Sequence, residues 1–195
     1  MTEPAKPSSN RIRLAVLPVL AALLMGNAPQ NYTLDVNASS ITTKVPFLGI
    51  GSRTATFSTL TGNVVFNPDR PSAARVNVTI HTQDITAPDS VTLNRLKSEK
   101  FFWVDEFPTA RFVGSNLVMT DDLNGMISGK LTARGVTRDE TLAVKFDRPP
   151  ATANGEAVNL TGSMVINRRN YGMTSFALIV GRNVTINLEA RLIPS

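Results

Sequence analysis

From Tyr32 to the end of the chain, apolar and polar residues change places at every second position. In 126–135, Ile127, Gly129, Leu131 and Ala133 alternate with Ser128, Lys130, Thr132 and Arg134. In 141–147, Leu142, Val144 and Phe146 share one parity, and in 157–167 Val158, Leu160, Gly162, Met164 and Ile166 share another. Near the C-terminus Val184, Ile186, Leu188, Ala190 and Leu192 face one way, against Thr185, Asn187, Glu189 and Arg191. A period of two with one apolar and one polar side belongs to antiparallel strands that bury one face and wet the other. Further strands are expected near 32–36, 40–48, 52–58, 62–67, 74–82 and 109–120. The last changes phase: Ala110 and Phe112 keep one parity and Leu117 and Met119 the other, so the Gly114-Ser115 step predicts a bulge.

One segment departs from this rhythm. In 89–101, Val91, Leu93 and Leu96 recur near helical spacing behind Asp89 or Ser90 as N-cap, which predicts a short helix. One helix among eight or more strands, without strand–helix alternation, describes an all-β antiparallel barrel or sandwich. Several inward positions are small: Ala55, Ala110, Gly129, Ala133, Gly162 and Ala190. Interspersed with Phe57, Phe66, Phe112, Phe146 and Met164, they fit a barrel that keeps room for one ligand. They fit equally a barrel whose small residues only ease bends or face bulky neighbours. Under the first reading, Gly129→Leu or Ala190→Phe fills the cavity of a folded barrel.

The N-terminus is built differently. A polar stretch ending in Arg11 and Arg13 precedes thirteen apolar residues, Leu14 to Gly26, and then "NAPQ". That is the layout of a secretory signal peptide, expected over 1–30, with one mature domain over 31–195. Thirteen residues are too few to span a bilayer comfortably, which takes roughly 20, and an uncleaved anchor or a buried helix is the alternative. The 195 residues carry 20 Lys+Arg, 15 Asp+Glu and a formal charge of +5 without any basic run, so nucleic acid is not an expected partner. Cysteine is absent, which excludes disulfides, thiolate metal sites and a Cys nucleophile.

Catalytic chemistry finds little to stand on. The single histidine, His81, follows inward Val76, Val78 and Ile80 and falls on the wet face or at the strand end. One His without Cys is a poor start for a metal site. Asp105-Glu106, Asp121-Asp122 and Asp139-Glu140 read as solvated turn residues. No catalytic residue, no metal site and no cofactor is expected.

Six stretches, in order, resemble the YceI-like proteins: "YTLDVNASSITTKV", "GNVVFNPDRPSAARVNVTI", "LKSEKFFWVDEFPTARF", "GKLTARGVTRDETLAVKF", "INRRNYGM" and "VGRNVTINLEARL". Together they span 32–193. The resemblance implies a lipocalin-like antiparallel β-barrel of about eight strands with one short helix near its mouth. It also implies export to the bacterial periplasm and a long isoprenoid chain, such as a polyprenyl phosphate or a quinone tail, held inside. Where the family often has His-Leu on the helix, this chain has Arg95-Leu96. Lys100 and Trp103 stand where acidic residues are usual, so the mouth turns from acidic toward basic.

The aromatic cluster "FFWVDEFPTARF" falls at the helix–strand corner, where rings either plug the barrel or wall its cavity. The candidate cavity lining is Phe57, Phe66, Phe101, Phe102, Trp103, Phe112, Gly129, Leu131, Phe146, Met164 and Ile166. Arg95, Lys100 and Arg134 are candidates for a headgroup at the mouth. The expected function is a non-catalytic, exported carrier or buffer of an isoprenoid-type lipid, with transient contact at the inner membrane. The alternatives are an interaction module docking on an inner-membrane protein, through a patch at Phe107 and Pro108, and an enzyme acting on a quinone or lipid.

Overall fold

A computed structural model of the chain describes residues 30–67 and 70–195. The expected export signal lies outside the described residues, except that Gln30 already pairs with Phe66 in the first strand. The strands run β1 (Gln30–Leu34), β2 (Ser40–Phe47), β3 (Gly51–Phe57), β4 (Leu60–Phe66), β5 (Arg75–His81) and β6 (Ile85–Thr86). The one α-helix among the described residues, α1 (Ser90–Lys97), follows. Then come β7 (Thr109–Met119), β8 (Asn124–Ala133), β9 (Val136–Phe146), β10 (Val158–Asn167) and β11 (Asn183–Pro194).

These segments close into an antiparallel barrel of eight strands, because three pairs of segments each act as one bent stave. β1 and β2 both pair with β11, through Leu34↔Leu192 at one end and Ile41↔Leu188 at the other. β4 and β3 pair in turn with β1 and β2, and β5 and β6 with β4 and β3. Every stave thus neighbours the next in sequence, the up-and-down order that removes free edges. The first break is tied down locally. Asp35 N–H donates to the Arg191 carbonyl, its carboxylate accepts from Asn37 N–H, and Ser39 Oγ accepts from Arg191 N–H.

The period-two reading holds in β8, β9, β10 and β11, whose inward residues form one continuous core from Tyr32 to Leu192. The phase change in β7 is a bulge between Ser115 and Leu117, with Asn116 at φ +59° as the extra residue. Helix α1 is shorter than expected. Asp89 caps it by accepting from Thr92 N–H at 2.7 Å, and Ser98 ends it by returning its hydroxyl to the Arg95 carbonyl at 2.7 Å.

One expectation is overturned: Asp139-Glu140 is not in a turn. β9 begins at Val136, directly after the two-residue turn Arg134-Gly135, whose φ values of +49° and +72° suit a tight hairpin. Asp139 pairs with Lys130 at 2.8 Å across β8, and Glu140 accepts from Tyr171 Oη at 2.7 Å. Both carboxylates therefore sit on a strand and have partners from other segments, and Glu140 anchors a buried tyrosine.

Candidate ligand-binding cavity

The barrel interior holds two chambers placed end to end. The larger, about 180 Å³, lies at the end carrying α1, the β2–β3 turn and the segment 173–181. The smaller, about 70 Å³, lies at the opposite end among Tyr32, Phe66, Phe146, Pro150 and Ala153. Val76, Val78, Leu142 and Leu188 border both and form the waist between them. Gly162 stands behind that waist. A Cβ there would meet Leu142 Cδ1 at 3.1 Å and Leu188 Cβ at 3.3 Å, so the small residue lets those two leucines approach.

The small inward residues divide into two kinds. Ala55, Ala110 and Ala133 line the larger chamber and keep it open. Gly129 and Gly114 do not line it, because the Phe112 ring lies across them. A Cβ on Gly129 would stand 2.5 Å from Phe112 Cζ and 2.8 Å from Gly114 Cα. Gly129 is thus a packing position for an aromatic ring, and Gly129→Leu breaks the wall instead of filling the cavity. Ala190 lines the smaller chamber only, so Ala190→Phe likewise misses the larger one.

The aromatic corner also divides. Phe101 and Phe102 turn inward and line the larger chamber. Phe102 meets Phe57 edge-on at 5.4 Å, and Phe101 stacks on Phe176 at 6.0 Å with 9° between the planes. Trp103 departs from expectation: at φ +48° its side chain leaves the inward row, is 39% exposed and packs edge-on against Phe107. Phe107 in turn covers the β8–β9 turn at Gly135. It is half-buried, so it does not form the flat exposed patch expected with Pro108.

Of the other candidates, Phe57, Phe112, Leu131, Met164 and Ile166 line the larger chamber, and Phe66 and Phe146 the smaller. Arg95 and Lys100 rest their charges over the Phe176 ring, at 5.2 and 5.6 Å from its centre. Arg134 lies elsewhere, donating from Nη1 to the Gly172 carbonyl at 2.8 Å, and does not line either chamber. His81 is half-buried at the end of β5 and lines neither chamber.

The chief residue that sequence reasoning missed is Arg168. It is 2% exposed and lines the larger chamber. Its Nε donates to the Gly181 carbonyl at 2.8 Å, Nη2 to the Val180 carbonyl at 3.0 Å, and Nη1 to the Met173 carbonyl. Those bonds fasten the segment 173–181 over the barrel end. Phe101 lies under the guanidinium at 5.7 Å. Burial, and then the neighbouring Arg169 charge, push the Arg168 pKa below its ordinary value. The alternation itself carried the sign, since 164, 166 and 168 share the inward parity.

A closed barrel with an apolar chamber, a short helix at one end and this strand order matches known proteins. The family model described as "YceI-like domain" matches residues 32–192. The chain belongs to the YceI-like family. Among curated relatives, a UPF0312 protein of Ectopseudomonas mendocina is 29% identical over 136 residues, covering 68% of this chain and 71% of that protein. A Protein YceI of Salmonella arizonae is 34% identical over 104 residues, 53% of each chain. Among solved structures, Burkholderia cenocepacia BcnA superposes with a TM-score of 0.73 at 19% identity, covering 81% of this chain and 98% of that one. A polyisoprenoid binding domain from Saccharophagus degradans superposes at 0.64 with 16% identity, covering 84% and 98%. At these identities the structural likeness establishes the fold alone.

Proposed function

We propose that this YceI-like protein is an exported, non-catalytic carrier that encloses the apolar chain of an isoprenoid-type lipid in the larger chamber. The observation that carries the reading is the wall of that chamber: Phe57, Phe102, Phe112, Leu131, Met164 and their neighbours surround space that three alanines keep open. Burying a chain there is favourable by about 0.8 kcal/mol per CH₂ without any specific chemistry. The name of the Saccharophagus domain agrees with a polyisoprenoid cargo. The polar N-terminus with its thirteen-residue apolar run supports a periplasmic location.

Exchange of cargo with the inner membrane belongs to the same reading, and the rim of the chamber supports it. Leu48 is 55% exposed, Ile50 96% and Leu178 100%. Backbone bonds from Leu48 N–H to the Ile179 carbonyl and from Gly181 N–H to the Pro46 carbonyl lock the two turns together. Arg53 stacks on Phe47 and Arg169 reaches the Ala177 carbonyl, so cations flank the apolar tips. Narrow apolar tips among cations suit an anionic lipid surface. Docking on a membrane protein is the second reading of that rim.

The test is thermal unfolding with and without a C15 prenyl alcohol. A ligand held only by the folded state at 100 times its Kd adds about 2.7 kcal/mol, so Tm rises by several degrees. An unchanged Tm at saturating alcohol contradicts the carrier reading.

A further inference from the structure

The buried guanidinium of Arg168 has hydrogen-bond partners but no countercharge among the described residues. Three backbone carbonyls accept from it, and carbonyls satisfy donors without neutralising a charge. Five N–H groups are present on a guanidinium, so two remain beyond those three bonds. The ion pairs among the described residues are Lys130–Asp139, Arg148–Glu156 and Arg191–Asp35, and none involves Arg168. An unpaired charge in an apolar wall is expensive to bury, by several kcal/mol. A glutamine amide would avoid that penalty, with two N–H groups for the three carbonyls.

Further cations extend outward from Arg168 in one column. Its guanidinium lies over Phe101, Phe101 stacks on Phe176, and Arg95 and Lys100 both sit over the Phe176 ring. Two stacked rings thus lie between Arg168 in the chamber wall and the exposed pair Arg95 and Lys100. Positive charge at both ends of the stack favours an anion between the rim and the chamber.

We propose that the ligand of the larger chamber is an amphiphile with an oxyanion head, a phosphate or a carboxylate, and that Arg168 is its inner anchor, with Arg95 and Lys100 guiding the head from the rim. The inference rests on the carrier reading above and adds the chemistry of the head. The guanidinium fork suits two oxygens of one head, and a charge-assisted bond in a water-poor chamber is stronger than a neutral one.

The experiment titrates four ligands into the delipidated protein by calorimetry: farnesyl monophosphate against farnesol, and palmitate against hexadecanol. The expected result is that each acid binds at least tenfold tighter than the alcohol with the same tail. A preference confined to farnesyl monophosphate identifies a phosphate head, and one confined to palmitate a carboxylate. Arg168→Gln reduces the ratio of acid to alcohol affinity below threefold, and Arg168→Lys keeps a larger part of it. Replacing both Arg95 and Lys100 by Gln lowers the preference two- to threefold without disturbing the barrel. Equal affinity of acid and alcohol in the wild type overturns the inference, whether or not Arg168→Gln folds. An undiminished preference in a folded Arg168→Gln protein overturns it too. Failure of all four ligands to bind removes the carrier reading itself, a result distinct from binding without preference.

Discussion

The two ends of the barrel are built from the same alternating strands, yet one is packed and the other is kept open. At the small-chamber end, Tyr32, Phe66, Phe146, Pro150 and Val158 converge on about 70 Å³. At the other end, three alanines stand where such side chains would stand, and the chamber reaches about 180 Å³. The open end also carries what the packed end lacks: the helix, the stacked rings, a buried cation and three apolar tips in solvent. Small residues alone do not account for this. Gly114 and Gly129 are as small as any, but they serve packing by receiving the Phe112 ring. What separates the ends is which small residues have a large partner across the barrel.

That contrast is most strongly broken through the wall itself. Gly129→Leu places carbon against Phe112 and against the Gly114 backbone, which cannot step aside. It is expected to cost more than about 3 kcal/mol and to abolish the cooperative urea transition. A protein that melts within about 1 kcal/mol of wild type would show that Gly129 has room after all.

Next in size is Ala133→Phe in the larger chamber. It should lower affinity for a prenyl chain about 100-fold, or about 2.7 kcal/mol, while far-UV circular dichroism stays that of a barrel. Titration of farnesol reads the effect directly, and unaltered affinity would place the chain elsewhere.

A pH effect of intermediate size sharpens the comparison through Tyr171, which lies outside both chambers. Burial, then the hydrogen bond to Glu140, raise its phenol pKa far above the ordinary value of 10.0. An unfolded tyrosine therefore loses its proton first as the pH rises. Stability is full below about pH 10 and falls above it, by about 1.4 kcal/mol per pH unit for this one group. Tyr32, also raised by burial, shifts in the same direction. Urea midpoints at pH 9, 10 and 11 should decline in the wild type and less steeply in Tyr171→Phe; equal slopes would show that Tyr171 does not hold its proton in the fold.

The smallest effect is expected at the packed end. Ala190→Leu fills part of the small chamber and should change stability by no more than about 1 kcal/mol and farnesol affinity by less than threefold. A tenfold loss of affinity would mean that the chain passes the waist at Val78, Leu142 and Leu188.

The sequence was most legible where a strand has one wet face. β8, β10 and β11 follow from parity alone, and so does the bulge in β7, because a slip of one residue would turn every inward side chain outward. Parity was less informative where the chain bends. Nothing in the run from Thr33 to Ile41 shows that β1 and β2 form one stave, since that break is held by Arg191 on the distant β11. Trp103 read as an entrance residue of the cavity lining, but a left-handed backbone at that residue turns it against Phe107 and away from the chamber. Asp139-Glu140 read as a turn because adjacent carboxylates are usually solvated, whereas Lys130 and Tyr171 supply partners from other elements. Arg168 was within reach of the parity argument, two and four residues beyond Ile166 and Met164, but arginine is so seldom buried that composition argued against its own pattern.

Native mass spectrometry of the protein purified without detergent shows whether the open chamber holds an apolar chain. The expected result is an added mass of lipid size on the wild type, released by organic extraction, and none on Ala133→Phe purified in the same way. A wild-type protein that flies as the bare polypeptide and takes up neither prenyl alcohol nor prenyl phosphate would contradict it.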